Sequence, residues 1–265
     1  MLGTSVYLPR FLRKISMNFN QHLIFEYDAF RVAQFAQAGN ACGSLEINDK
    51  QAHFFKGLDY FNYLLSATSF TQPDFINVQK FYLAKGIKRF KWITLEPNCS
   101  HQPFLTERFD LLEMNVSKST EFHSDLDFSL LEPTHAPCYA RLYLKGFKSI
   151  SDPANPQVLT NFKKLLGHSN HKVWRVQLKG CSVGLCAMFS KKQEAFLSAG
   201  VVLKPFQKRG FHKEMIAFRL QQATKLGFSK LCSWAYADGI SSLNLQQQGF
   251  KVCTTFYAHH FSSKA

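Results

Sequence analysis

Val201-Val202-Leu203-Lys204-Pro205-Phe206-Gln207-Lys208-Arg209-Gly210-Phe211-His212 is the stretch on which the fold turns. A strand-like run from Ala195 to Leu203 feeds a short basic loop, and the loop opens directly into a helix on which Ile216, Leu220 and Ala223 share a face. That order gathers several free backbone N–H groups and a helix N-terminus at one spot, a site suited to a pyrophosphate. Gly210 lets the backbone approach a ligand with no Cβ in the way. Lys204, Lys208, Arg209 and Lys213 crowd around the loop, and Lys208 and Arg209 are placed for charge-assisted contacts. A basic loop capping an ordinary helix would read the same locally, so the neighbouring segments decide.

Downstream, Gly227 ends the helix and Leu231 to Ala235 reads as a strand. Ser241 to Gln248 reads as a short helix stopped by Gly249, and Phe250 to Phe256 as a last strand. Upstream, Glu194 to Leu203 and Ser182 to Phe189 are strands separated by Lys191-Lys192. Val173 to Leu178 alternates and precedes the hairpin-like break Lys179-Gly180. Val158, Phe162, Leu165 and Leu166 have helical spacing after the turn Asp152–Pro156, and Ala140 to Leu144 reads as a strand.

The first half carries a helix over Glu26–Gln37, a loop at Gly57–Asn62 entering a strand, and a helix presenting Phe75, Val78 and Phe81 or Tyr82. Gly86 stops that helix, and Phe90 to Leu95 is a strand. This is an α/β unit without a phosphate loop of its own. Residues 121–137, with two prolines and acidic and polar residues, read as a linker.

The chain has 265 residues, room for one large domain or two ordinary ones, and its 46% apolar and 19% charged content is a globular balance. Its 27 phenylalanines suit cores and interfaces. No apolar run reaches the ~20 residues of a membrane helix, and Met1 to Lys14 carries Arg10, Arg13 and Lys14 with no apolar stretch to make a secretory signal. That opening reads as a basic arm, with Met17 as an alternative start. The seven cysteines are odd in number and none is spaced C-x-x-C, which speaks against a zinc site or disulfide framework and for thiols in a reducing cytoplasm. His168-Ser-Asn-His171 and His259-His260 lack ligand company at metal spacing. The net charge of +14 admits nucleic acid, an acidic partner or an anionic cofactor.

The loop Gln207-x-x-Gly210 after a strand, with Ser241, Asn244, Gly249 and Phe250 following a helix and strand, resembles the GNAT superfamily of N-acyltransferases over about residues 138–260. The resemblance implies an α/β (α+β) fold with a mixed, mostly antiparallel sheet flanked by helices and splayed beside the loop. It divides the chain into a basic arm (1–16), a degenerate GNAT-like N-terminal domain (17–130) and an acyl-CoA-binding GNAT domain (138–265). It implies acetyl-CoA or a related acyl-CoA as co-substrate and transfer of the acyl group to a primary amine by direct attack, with no metal and no membrane. Val202 would offer main-chain groups to the pantetheine arm, Gln207, Lys208, Arg209, Gly210, Phe211 and His212 would wrap the pyrophosphate, and Asn244 would contact the cofactor arm. Main-chain N–H groups near Val202 and Leu203 would hold the oxyanion.

Three positions depart from the family pattern. His212 stands where the family has Gly or Ala, and either narrows the cradle or turns outward. Asp238 stands where many members have Asn. Leu245 replaces the Tyr that protonates the leaving thiolate, and leucine has no proton to give. Glu194, Tyr236 and Tyr257 are weak candidates for a general base, and none is assigned. Two other readings stay open: a non-catalytic CoA- or partner-binding module, and a tandem-GNAT transferase linked to tRNA.

Overall fold

The computed structural model describes residues 22–47, 50–66, 71–116, 122–149 and 151–262. The arm expected over residues 1–16, and Met17, fall outside the described residues. The first half runs α1 (Leu23–Gln37), β1 (Cys42–Ile47), β2 (Lys50–Phe55), β3 (Tyr63–Leu65), α2 (Gln72–Ala84), β4 (Arg89–Thr94) and β5 (Leu105–Asn115). The second runs β6 (Leu126–Leu130), α3 (Ala136–Gly146), α4 (Pro156–Leu166), β7 (His171–Leu178), β8 (Cys181–Lys191), β9 (Glu194–Val202), α5 (Phe211–Lys225), β10 (Lys230–Tyr236), α6 (Ile240–Gln247) and β11 (Lys251–Ser262).

Among the described residues, all of the strands join one 11-stranded sheet in the order β1-β2-β3-β4-β11-β5-β10-β9-β8-β7-β6. The pairs β3–β4 and β9–β10 are parallel and the others antiparallel. Each half therefore repeats one motif: antiparallel strands feed a parallel strand–helix–strand crossover, through α2 in the first half and α5 in the second. The halves interlock. β11 lies between β4 and β5, and β5 lies between β11 and β10.

Capping chemistry sets the helix starts. The Thr71 side chain accepts from Asp74 N at the start of α2, and Asn155 Oδ1 accepts from Gln157 N and Val158 N at the start of α4. α2 buries Phe75, Val78 and Tyr82, the face expected from spacing, against Phe90, Trp92 and Phe261.

Two expectations are corrected here. Ala140–Leu144 is not a strand but the middle of α3. Pro137 falls in the first helical turn, where its missing N–H costs nothing, and Ala136, Tyr139, Ala140 and Leu142 bury one helical face. The stretch 121–137 is not a bare linker. It holds β6, which pairs antiparallel with β7, and a 3-10 turn at Pro133–His135.

Side-chain alternation sends β7 to two cores. Val173 joins α3 and α4, whereas Trp174 and Val176 join α5. In β9 that alternation inverts midway. Ala195 and Leu197 pack toward α5, but Ala199 and Val201 pack toward α3 and α4. The cause is a bulge. The β8–β9 register jumps from Ala187↔Ala199 to Phe189↔Phe196, so two β9 residues, Leu197 and Ser198, oppose Met188 alone.

Candidate functional site

The bulge turns β9 away from its parallel neighbour. β9 and β10 pair only at Glu194↔Lys230, Ala195↔Leu231 and Phe196↔Cys232. Ser233 Oγ donates to Leu197 O at 3.3 Å, and beyond that contact the strands part. Ser198–Gly200 and Trp234–Tyr236 line a cavity of about 770 Å³ in and beside the gap. Tyr27, Arg31, Tyr139 and Tyr143 wall it on the α1 and α3 side, and His212, Arg219 and Leu245 on the α5 and α6 side.

The basic loop borders this gap. Lys204–Phe206 form a 3-10 turn, Lys208 is left-handed at φ 64°, and Gly210 follows at φ 83° as N-cap of α5. Phe206 N and Gln207 N donate back into the turn, and Lys213 N and Glu214 N donate to Gly210 O. Between them, the N–H groups of Lys208, Arg209, Gly210, Phe211 and His212 make no hydrogen bond among the described residues. Lys208, Arg209 and Lys213 are exposed, with the Arg209 guanidinium 5.0 Å from the Phe211 ring centre.

Several side chains expected to face a ligand are otherwise engaged. Gln207 Nε2 turns back to Val202 O at 3.0 Å, and Phe211 is buried in the α5 core. Leu203 N donates to Val183 O at 2.9 Å, so the structure removes it from the expected oxyanion donors: the turn begins only after this last link to β8. His212 neither fills the cradle nor turns outward. Its ring folds in beneath the sheet, where Asn244 Nδ2 lies 3.1 Å from Nδ1, and an ideal Cβ on Gly200 would come 2.9 Å from Nε2. Asn244 is thus engaged with His212. Burial foremost, then the Arg219 charge, pushes His212 down to about 4, so its imidazole is neutral at pH 7.

Arg219 is 2% exposed and has no carboxylate partner among the described residues. Its Nη1 donates to Ala187 O at 3.2 Å and Ala199 O at 2.8 Å, and its Nε to Met215 O at 3.0 Å. The guanidinium therefore plugs the carbonyls at the mouth of the bulge. Burial pulls its pKa down, while its Nη2 makes no hydrogen bond among the described residues and lies 3.2 Å from the ideal Gly200 Cβ. No sequence motif marks Arg219. A signal was available, since it is a charged residue on the buried helical face with Met215, Ile216 and Ala223.

On the opposite wall Arg31 pairs with Asp28 one turn earlier on α1, and Tyr63 Oη donates to Asp28 Oδ2 at 2.8 Å. The Arg31 guanidinium lies 4.5 Å from the Tyr27 ring centre, 5.0 Å from that of Tyr60 and 4.7 Å from that of Phe61, and Nη1 donates to Tyr143 Oη at 3.3 Å. Burial works against this charge, but Asp28 holds it well above the usual arginine range. Tyr139 Oη and Ser198 Oγ are buried without a hydrogen-bond partner among the described residues, and both residues line the cavity. No sequence motif marks this cluster.

Of the weak base candidates, Glu194 lies at the far end of β9 and Tyr257 stacks on His259 in β11, and neither lines the cavity. Tyr236 does line it. Its Oη donates to Glu107 Oε1 at 2.8 Å, and partial burial and that carboxylate push it up to about 12. Asp238 pairs with Arg108. The histidines weighed for metal are committed to the protein. His171 Nδ1 lies 3.4 Å from Leu165 O and Nε2 lies 3.2 Å from Tyr27 Oη, while His259 bridges Thr106 and Glu96 O.

No protein-family model matches this sequence, and no curated protein sequence does. Solved structures do match. A GCN5-related N-acetyltransferase from Kribbella flavida superimposes with a TM-score of 0.57 at 12% identity, covering 89% of this chain and 95% of that one. A tandem GNAT protein from the clavulanic acid biosynthesis pathway matches at 0.57 and 6% identity, over 82% of this chain and 79% of its own. A conserved protein of unknown function from Staphylococcus epidermidis reaches 0.58 at 10% identity, over 82% and 92%. A crossover helix started by a basic glycine loop, a strand pair that parts beside it, and these superpositions over most of the chain lead to one assignment: this chain has the fold of the GNAT superfamily.

Proposed function

We propose that this protein is an acyl-CoA-dependent N-acyltransferase, with acetyl-CoA or a related acyl-CoA as donor and an amine as acceptor. The observation that carries this reading is the run of unengaged N–H groups from Lys208 to His212 at the start of α5, beside the gap between β9 and β10. The N–H groups, the helix N-terminus and the exposed cations favour a pyrophosphate. A pantetheine arm running from there into the gap would bring its thioester between Gly200 and Ala235, both of which line the cavity. The amine would enter from the wall formed by Tyr27, Tyr139 and Tyr143. The cavity far exceeds an acetyl group, and its mouth includes exposed Phe147 and Ile240, so the reading extends to bulky apolar acceptors or acyl chains. The free thiols of all seven cysteines suit a reducing compartment such as the cytoplasm.

Calorimetry with acetyl-CoA tests the donor site. Lys208→Ala/Arg209→Ala should weaken binding by about 3- to 30-fold through lost charge-assisted contacts, with melting unchanged. Equal affinity in the two proteins refutes the loop assignment. A second reading, a binding module without catalysis, is favoured by two observations. Leu245 is buried in the cavity wall, and the Asp28 carboxylate beside the cavity is already held by Arg31 and Tyr63. Tight CoA binding with no transfer to a broad amine panel supports that reading. Steeply salt-dependent tRNA binding without CoA binding would favour the tRNA-linked alternative.

A further inference from the structure

His212 and Leu245 are paired departures. Leucine stands where the family pattern has a proton-donating Tyr, and a histidine stands where the pattern has Gly or Ala. Both line the same cavity. Asn244, next to Leu245 in sequence, is the residue that holds the His212 ring. An amide nitrogen only donates, so His212 Nδ1 accepts from Asn244 Nδ2, and the ring hydrogen is on Nε2. That N–H lies beside Gly200 on β9, and Arg219 Nη2 approaches the same glycine. Any side chain on Gly200 would fill the space in front of both donors. Two unspent donors, one of them on a buried cation without a counter-ion among the described residues, thus converge where the strands part.

Building on the acyltransferase reading, we propose that His212 Nε2–H and Arg219 stabilise the CoA thiolate as it leaves, replacing the proton donor that Leu245 cannot be. The amine nitrogen lone pair forms the C–N bond at the thioester carbon. The C–S bond breaks with its electron pair leaving on sulfur, and the ammonium proton passes to solvent. The sulfur departs as an anion held by the two donors and takes its proton from water on release. Asn244 is a positioning residue that fixes the tautomer. A neutral imidazole suits the task, since it donates a hydrogen bond without giving up a proton.

The test is the acidity of the CoA thiol in its complex with the full chain. It is read as thiolate absorbance against pH, with the desulfo-CoA complex as reference to cancel the protein's own thiols and tyrosines. The thiol should titrate about 1–3 units lower when bound than when free. His212→Ala should remove at least half of that shift, and Asn244→Leu part of it, with desulfo-CoA affinity held within about threefold as the check on folding. Arg219→Met serves as a further variant where it retains desulfo-CoA affinity. CoA binding with a thiol that titrates as it does free in solution overturns the inference and leaves the acyl-CoA reading intact, as does an unchanged shift in His212→Ala. No CoA binding overturns both.

Discussion

Acidification should unfold this protein in a window set by histidines rather than carboxylates. His53, His171 and His212 are held neutral chiefly by burial, at about 4, about 3 and about 4 respectively. His53 is fully buried, with Ser44 Oγ on Nδ1 and no partner on Nε2 among the described residues. His171 is fixed between Tyr27 and Leu165 O. In the unfolded chain each titrates near 6.5. Folded values lie below that, so the unfolded state binds more protons as pH falls, and stability drops from about pH 6.5 down toward pH 3–4. Between pH 7 and pH 5 the linkage amounts to about 2 kcal/mol per histidine, or about 6 kcal/mol together, against a total stability of about 5–15 kcal/mol for a domain. Glu113 acts later. Burial opposes its charge, but hydrogen bonds from His22 and Lys230 hold it to about 2, so its contribution is lost only below about pH 4.5. Urea unfolding at half-unit pH steps measures the slope. His171→Gln, whose amide can donate to Leu165 O and accept from Tyr27, should reduce the steepness near pH 5.5 by about one third. A midpoint that stays flat from pH 7 to pH 5 refutes the reasoning.

Other perturbations read different parts of the structure. Gly184→Ala would drive a Cβ into Val201 O, so β8 and β9 must move apart; a loss of about 3 kcal/mol in urea is expected, together with weakened CoA binding. Asp28→Ala leaves the Arg31 cation buried and unpaired and should cost about 3–5 kcal/mol, most of it recovered when Arg31→Met is added. Gly200→Val would occupy the space that His212 and Arg219 approach; it should abolish the thiol acidity shift while leaving the loop before α5 able to bind the nucleotide half of CoA, which calorimetry with that fragment would verify.

The basic loop that starts α5 was legible because its determinants are contiguous: an apolar strand end, Gly210, and cations on either side. α2 was legible from Phe75, Val78 and Tyr82 at helical spacing. Ala140–Leu144 misled because a short window with alternating polarity fits a strand as well as a helix; widening it to Pro137 and Tyr139 restores the helical face. β6 was hidden by the polar residues and prolines around it, and a five-residue edge strand leaves little pattern. The inverted alternation in β9 comes from one extra residue, which no periodicity predicts. The aromatic wall around Arg31 brings Tyr27 of α1 against His171 of β7, a contact made by topology rather than by any local motif.

The wedge of β11 between β4 and β5 has a consequence for how the chain reaches its native state. During synthesis, β4 and β5 emerge from the ribosome well over a hundred residues before the strand that separates them. Until then each has an open edge, and nothing local keeps the two edges from pairing with each other or with another nascent chain. The closing steps are therefore non-local and slow, and they come last. A fragment cut before Lys251 leaves β4 paired with β3 alone and β5 with β10 alone, each with one edge open.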